Sequence, residues 1–312
     1  MSAGKGEPGV PGSDRGWTKS IPVTDVPMDV EIVICTFNRS ALLRRTLQYL
    51  DRARRPNDCA VGVLVVLNAC TDDSDQMLVA HAGEKHPEQR LPLRWIEEPR
   101  RGKSFALNTA IEACSAPIMA FVDDDHRVDD GYIVGIHRAV QDYPDSDIYC
   151  GRILPDWDGR EPAWLHADNE YAVYPLPVPR YDLGDQPRGL DKEGPIPGGG
   201  NLFLRSSDFM RRALAAGAVL RYVPTVVQYH YVDGERLRLG YLVRKSYQRS
   251  LAVTRVQHAE ARLPPRYLWR KLGGYLLHLA TSLSWPQTRF YLVRVAAALG
   301  ELSAYFKRRP VN

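Results

Sequence analysis

The sequence has no apolar run long enough to cross a membrane, which takes about 18 uninterrupted apolar residues. The N-terminus also lacks the apolar core of a signal peptide. The five cysteines are odd in number, widely spaced and form no Cys-x-x-Cys pair. This pattern argues against a disulfide framework or a zinc site and favours a reducing compartment. Together these absences predict a cytoplasmic protein.

The net charge of the chain is also small. The formal net charge is +4 over 312 residues, which is too weak to indicate a nucleic-acid partner by itself. It is compatible with an anionic ligand or an anionic membrane surface. Hydrophobic residues make up 44% and charged residues 25%, as in globular proteins that bury a core. The length fits one large domain, or one domain with an appendage.

Short apolar, β-branched runs alternate with helical patterns over the first half of the chain. Strands are predicted at residues 30–35, 61–67, 92–96 and 117–122, with amphipathic helices between them. A further strand is predicted in the second half, at about residues 220–223. This alternation predicts an α/β fold with a mostly parallel sheet flanked by helices. Residues 1–28, rich in Gly, Pro and Ser, are predicted to be a disordered N-terminal tail.

Four polar clusters follow predicted strands: Thr36 to Arg39, Asn68 to Asp73, Glu97 to Lys103, and Asp123 to His126. In an open parallel sheet, ligands bind beyond the carboxyl ends of the strands. We therefore expect these clusters to meet along one edge of the sheet.

The densest cluster is Asp123-Asp124-Asp125, directly after a buried strand. Adjacent carboxylates repel one another unless a cation lies among them. Oxygen ligands suit Mg²⁺ or Mn²⁺, which commonly also contact substrate phosphates. The triplet therefore predicts a metal site, the alternative being a solvated loop or a helix cap.

Several motifs in order resemble the family 2 glycosyltransferases, which have the GT-A (nucleotide-diphospho-sugar transferase) fold. Asp123-Asp124-Asp125 matches the family's Asp-x-Asp motif, and Cys35-Thr36-Phe37-Asn38-Arg39 resembles its opening motif. Residues 67–72 resemble its Asp-Asn-x-Ser-Thr-Asp motif without the first Asp. Residues 102–108 match Gly-x-x-x-Ala-x-Asn, and residues 199–205 resemble the segment beside the donor sugar.

The resemblance covers roughly residues 29–255 and assigns expected roles to individual positions. It implies metal ligation by Asp123, Asp125 and His230. It implies that the donor is bound by Thr36, Phe37, Asn38, Arg39, Asn68, Asp72, Lys103, Asp123, Asp124, Gly199, Gly200 and Asn201. The amide oxygen of Asn68 could accept a hydrogen bond from a uracil base.

The family's catalytic base is the least clear position, because its usual Glu-Asp segment is missing. Asp208 is the nearest carboxylate, with a helix cap as the competing interpretation. Asp156, Asp158 and Glu161 are the alternatives. Aromatic residues such as Trp157 and Trp164 lie in an irregular segment, either as an acceptor wall or as plain packing.

The last part of the chain is predicted to be helical, basic and amphipathic. It is interpreted either as a membrane-surface element or as a helical cap or dimer contact. The predicted domains are the tail 1–28, a GT-A catalytic domain 29–258 and an amphipathic helical region 259–312.

The predicted function is inverting transfer of a sugar from a nucleotide diphosphate donor, such as a UDP-sugar, to a saccharide or lipid-linked acceptor, with Mg²⁺ or Mn²⁺. The enzyme would be of the hexosyltransferase type and act in polysaccharide biosynthesis. A sugar nucleotidyltransferase would need a Gly-rich, Arg-containing loop after the first strand, which Thr36 to Arg39 is not. A non-catalytic sugar- or nucleotide-binding descendant of the fold stays open as an alternative.

Overall fold

The computed structural model of the protein describes residues 27–83, 90–157, 159, 161–166, 169–173, 178, 180–190, 197, 199–206, 218–257 and 263–306. The predicted base Asp208 and its alternative Asp158 lie outside these residues. The described residues fall into two compact units. The first comprises those of Met1–Ile153 and Tyr181–Tyr229, and the second those of Leu154–Arg180 and His230–Asn312.

Strands and helices alternate as the apolar patterns predict. The first elements are β1 (Val30–Thr36), α1 (Ser40–Arg52), β2 (Val61–Asn68), α2 (Ser74–Gly83), β3 (Leu93–Glu98), α3 (Lys103–Ala113), β4 (Ile118–Phe121), β5 (His126–Val128) and α4 (Tyr132–Asp142). There follow β6 (Ile148–Asp156), β7 (Arg188–Leu190), β8 (Leu202–Arg205) and β9 (Leu220–Tyr231), with short 3₁₀ turns at Ala163–His166 and Gly199–Asn201.

The strands form one mixed sheet in the order β3-β2-β1-β4-β8-β6-β9-β5, with β7 paired to β9. The four strands from β3 to β4 are parallel, whereas β8 runs antiparallel to both β4 and β6. The predicted α/β class with helices flanking a mostly parallel sheet is confirmed.

Successive side chains of each central strand point to opposite faces of the sheet, as the two-residue period of a strand requires, and both faces are buried. Ile32 and Ile34 join the core beneath α1, α2 and α4, whereas Val33 joins the core beneath α3. Both faces are covered, so the strands read as continuous apolar runs. Because β1, β2, β3 and β4 are parallel, the residues that follow them share one edge of the sheet.

The second unit contains three long helices: α5 (Leu239–Gln257), α6 (Arg266–Ala280) and α7 (Trp285–Phe306). Pro265 precedes α6, where its missing N–H costs nothing. Among the described helices, none combines the length and the hydrophobicity that a membrane crossing requires. The helical prediction for this part of the chain is confirmed, and its predicted boundaries stay predictions.

Two helical glycines in this unit provide a matched test of the packing. A Cβ on Gly300 of α7 would overlap the carbonyl oxygen of Tyr247 on α5, whereas a Cβ on Gly273 of α6 would meet no atom within 4 Å. We expect Gly300→Ala to lower the free energy of unfolding by about 1–3 kcal/mol through overpacking. Gly273→Ala should raise it by about 0.5–1 kcal/mol, the usual gain in helix propensity.

Chemical denaturation of the two variants checks this prediction. Equal stabilisation by both substitutions would contradict the close approach of α5 and α7.

Candidate active site

The three aspartates after β4 each contact a polar or cationic partner from a neighbouring strand end. The Lys103 ammonium donates to Asp123 Oδ1 at 2.6 Å. Asp124 accepts from the Thr36 hydroxyl at 2.8 Å and from the Arg39 guanidinium at 2.9 Å. The same guanidinium nitrogen lies 3.2 Å from Asp125 Oδ2. The expected meeting of the clusters along one sheet edge is therefore present.

Burial raises the free-energy cost of keeping these carboxylates ionised. Asp124 is 5% exposed and Asp125 9% exposed. Burial raises the pKa of the Asp124 carboxyl, and Thr36 and Arg39 offset this only in part. Burial alone would lower the pKa of Lys103, but Asp123 outweighs it and the net shift is upward. The cations are thus held charged against the acidic cluster.

One group of potential metal ligands within the described residues consists of Asp125, His126 and His230, whose ligand atoms lie within 4.8 Å of one another. His230 follows Tyr229 in the uninterrupted strand β9, and β9 neighbours β5, which begins at His126. One carboxylate and two imidazoles fit a divalent transition metal.

The tautomer of His126 supports this fit. Its Nδ1 lies 2.5 Å from Gln228 Oε1, while Gln228 Nε2 donates to the carbonyl of Phe121 at 2.9 Å. Because the Gln228 oxygen can only accept, Nδ1 of His126 carries the proton and Nε2 presents a lone pair. That Nε2 lies 3.8 Å from Asp125 Oδ1 and 3.9 Å from Asp123 Oδ2. Metal-ligating histidines commonly donate their other nitrogen in this way.

Sequence reasoning missed His126. The available signal was its position directly after the acidic triplet. Asp123, in contrast, belongs to the predicted ligand set but not to this group, and its Oδ1 contacts Lys103. Its predicted role as a ligand stays a prediction.

Gly200 lies against the acidic cluster, whereas its neighbour Asn201 contacts the backbone of other strands. A Cβ on Gly200 would stand 2.6 Å from Asp123 Oδ2 and 2.9 Å from His126 Cε1. The Asn201 amide donates to the carbonyls of Arg152 and Val226 at 2.9 and 3.1 Å. Gly199 is exposed with no atom near its Cβ position. Because Gly200 has no side chain, the Asp123 carboxylate can lie against its backbone. The side chain of Asn201 links two neighbouring strands by hydrogen bonds to Arg152 and Val226.

The turns after β1 and β2 hold each other. Asn38 and Ala69 both adopt the left-handed conformation, each with φ of 53°. The Asn38 amide oxygen accepts from the Thr71 backbone N–H at 2.7 Å, and Asp72 accepts from the Ser40 backbone N–H at 3.1 Å. Slight burial would raise the pKa of Asp72, but hydrogen bonds from Ser74 and Ser40 lower it overall. Asn38, in the turn after β1, thus holds the turn after β2, and Asp72, in the turn after β2, holds the start of α1.

Asn68 links β2 to the loop that leads into α3. It is 5% exposed, donates to the Arg100 carbonyl at 2.7 Å, and accepts from the Gly102 backbone N–H at 2.9 Å. The same loop is anchored by buried Glu98, whose pKa the Arg100 guanidinium and Thr109 lower to about 2 despite burial. Asn68 therefore positions the loop that carries Lys103.

Two arginines of this loop each lie over an aromatic ring from a neighbouring segment. The Arg101 guanidinium lies 4.4 Å from the Phe37 ring centroid, and that of Arg100 lies 4.7 Å from the Phe105 centroid. Cation–π contacts of this length orient long side chains. With Lys103 they make this edge of the sheet favourable for phosphate groups.

The sequence profile described as "Glycosyl transferase family 2" matches residues 31–210. This range holds the strand-end clusters just described. The chain belongs to glycosyl transferase family 2. No curated protein matches the sequence.

Solved structures share the fold of this glycosyl transferase. A mannosyltransferase from Pyrobaculum calidifontis, PcManGT, in complex with GDP-Man and Mn²⁺, is 16% identical over 93% of this chain and 91% of its own, with a TM-score of 0.51. S. aureus TarS (residues 1–349) in complex with UDP is 14% identical over 89% and 90% of the two chains, with a TM-score of 0.52. These likenesses establish the GT-A fold.

The carboxylates considered for the base lie in different places. Asp208 and Asp158 are outside the described residues. Asp156 ends β6 and is buried, and Glu161 Oε1 lies 3.3 Å from His166 Nε2. The Arg289 guanidinium lies over the Trp164 ring, 4.2 Å from the ring centroid. That face of Trp164 is therefore used in packing within the second unit.

We predict that Gly200→Ala weakens Mn²⁺ binding without unfolding the glycosyl transferase. The added Cβ must displace Asp123 or His126, and disturbance of supporting groups typically costs about 10- to 100-fold in metal affinity. Isothermal titration with Mn²⁺ measures this effect.

The control is Gly189→Ala in β7, where a Cβ meets no atom within 4 Å. Wild-type Mn²⁺ affinity in Gly200→Ala, at an unchanged melting temperature, would refute the proximity of Gly200 to the metal site.

Proposed function

We propose that the protein is a metal-dependent, inverting glycosyltransferase of the hexosyltransferase type. It moves a sugar from a nucleotide diphosphate donor to a saccharide or lipid-linked acceptor in polysaccharide biosynthesis. The observation that carries the proposal is the acidic cluster Asp123–Asp125, surrounded by Lys103 and Arg39 at the carboxyl edge of the parallel strands. Membership of family 2 and the GT-A fold support it.

A nucleotide diphosphate donor agrees with the charge of this edge. Lys103 begins α3, where the helix dipole adds to its positive charge, and Arg100 and Arg101 precede it. The two similar structures are complexes with GDP-Man and with UDP. We propose a UDP-sugar donor, bound by the residues that the family motifs indicate, with Asn38, Asn68 and Asp72 also shaping the pocket.

Mn²⁺ is the proposed metal, held by Asp125, His126 and His230, with Asp123 as a further proposed ligand. Two imidazole ligands favour a transition metal over Mg²⁺, which prefers oxygen ligands. When bound, the metal would stabilise the negative charge of the leaving diphosphate. Arg39 and Lys103 hold the carboxylates in position, and Gln228 fixes the proton of His126 on Nδ1.

Inversion needs a base on the acceptor side of the donor sugar. The aspartates after β4 would bind the leaving group on the opposite side, so the base must come from the second half of the chain. We propose Asp208, which follows the segment that resembles the family's donor-sugar motif.

Wild-type protein with Mn²⁺ should release nucleoside diphosphate from a matching nucleotide-sugar, and Asp208→Asn should lower the rate about 10²-fold or more. Donor affinity should persist, because the amide resembles the carboxylate in shape. Chromatography of the released nucleotide measures the rate.

Asp145→Asn, an exposed carboxylate in the turn after α4, is the control. A wild-type rate in Asp208→Asn would move the base to Asp156, Asp158 or Glu161. Donor binding with no turnover by the wild type would favour the non-catalytic alternative.

Peripheral contact with a membrane surface is proposed for the helical region. In the described part of the chain, 11 of the 14 large hydrophobic residues that are exposed lie between Val253 and Phe306. Trp269 and Leu277 on α6 are 53% and 64% exposed. Exposed apolar side chains among basic ones are typical of interfacial helices.

We predict that Trp269→Ala combined with Leu277→Ala weakens binding to vesicles with 30 mol% phosphatidylglycerol by about tenfold or more, because apolar area is removed. Co-sedimentation measures the partition. Val79→Ala on α2, 52% exposed, is the matched control. Equal binding of the double variant and the wild type would overturn the membrane proposal.

A further inference from the structure

A cleft of about 720 Å³ lies within the second unit, between α5, α6 and α7. We call it the α5–α7 cleft. Its volume lies in the range of about 300–1,000 Å³ typical of small-molecule sites. Apart from Val173, its lining residues fall outside the family match at 31–210. The family assignment therefore gives it no role.

Cationic side chains dominate the polar lining. Five line the cleft: Arg236, Lys245, Arg249, Lys271 and Arg294. The single acidic lining residue, Glu301, accepts from Lys271 at 2.8 and 2.9 Å. Within the described part of the chain, no carboxylate pairs with the other four cations. The cleft thus has a net positive charge that no side chain among the described residues compensates.

The remaining lining is largely apolar or aromatic. Leu242 and Leu268 are each 2% exposed and belong to the floor, with Val293 and Ala297 from α7. Lys245 Nζ lies 5.6 Å from the Tyr241 centroid, and the Arg294 guanidinium 4.9 Å from the Phe290 centroid. Two of the lining cations, Lys245 and Arg294, therefore lie against aromatic rings of the cleft.

This combination discriminates between classes of ligand. A saccharide could use the hydroxyl and amide groups of Ser250, Thr254 and Gln257, but it is uncharged and would leave the cations of the cleft without a counter-charge. A free inorganic anion would make no use of the apolar floor. A phosphate attached to an apolar chain satisfies both, because Arg and Lys bind phosphate oxygens and the floor buries the chain.

We propose that the α5–α7 cleft binds an amphiphilic phosphate, with the phosphate between Lys245 and Arg249 and the chain on the Leu242–Leu268 floor. Lys245 and Arg249 are four residues apart on α5, so their side chains project from the same face of the helix. The inference stands on the cleft itself and does not depend on the proposed transfer reaction.

The chemistry has two sources, a soluble amphiphile or a lipid head group in a bilayer. Calorimetry with n-decyl phosphate below its critical micelle concentration tests the first. Co-sedimentation with phosphatidylcholine vesicles containing 20 mol% phosphatidic acid tests the second. Titrations with decanol and with inorganic phosphate measure the contributions of the apolar chain and of the phosphate separately. All titrations use the full chain without nucleotide-sugar, so their outcome is independent of turnover.

The informative variant is Lys245→Ala with Arg249→Ala. Both positions are exposed, and alanine favours helix, so folding should be unaffected. We expect the affinity for n-decyl phosphate to fall about tenfold or more, the scale of lost charge-assisted hydrogen bonds. Arg270→Ala, an exposed cation of α6 outside the cleft, should leave it unchanged.

Specific outcomes would overturn the proposal. These are equal n-decyl phosphate affinity in the wild type and the double variant, or inorganic phosphate binding as tightly as n-decyl phosphate. No binding in either arm would do the same. Self-association of the wild type that the double variant abolishes, without amphiphile binding, would assign the cleft to a second copy of the chain. Binding to vesicles alone supports a bilayer source, and binding of both probes supports either source.

Discussion

Three consecutive carboxylates end β4, and their mutual repulsion is the constraint on which the surrounding structure depends. Water screens such charges poorly here, because Asp124 and Asp125 are buried. The compensation comes from separate strand ends: Thr36 and Arg39 after β1, and Lys103 at the start of α3. The parallel order of β2, β1 and β4 brings these groups to one edge. The fold is therefore what makes the acidic cluster tolerable.

The loops around the cluster are held by side chains whose main partners are backbone groups. Asn38, Asn68 and Asn201 each bridge segments that are distant in sequence. The amides of Asn68 and Asn201 are buried, and buried amides whose hydrogen bonds are satisfied favour one arrangement of the chain. Residues that match the family's donor-binding motifs thus also hold the backbone around the acidic cluster in place. A substitution at any of them changes both, so substitution data there need a separate measure of folding.

The strands and their order of appearance were predictable because buried parallel strands are continuous apolar runs, as in Val61–Asn68. The edge at which the motifs meet followed from the parallel topology. His126 was not predictable as a potential metal ligand, because its tautomer depends on Gln228, 102 residues later in the chain. Strand β9 was predicted only near residues 220–223, since Gln228 and His230 interrupt its apolar pattern although both are buried.

We propose above all that a divalent metal and a nucleoside diphosphate bind together beyond the end of β4. Thermal unfolding with UDP or GDP, in Mn²⁺ or in EDTA, tests it most directly, because a ligand of the folded state raises the melting temperature. We expect the melting temperature to rise with nucleotide and Mn²⁺ together, and not to rise in EDTA or in Asp125→Ala. No rise with either nucleotide, or an equal rise in Asp125→Ala, would contradict it.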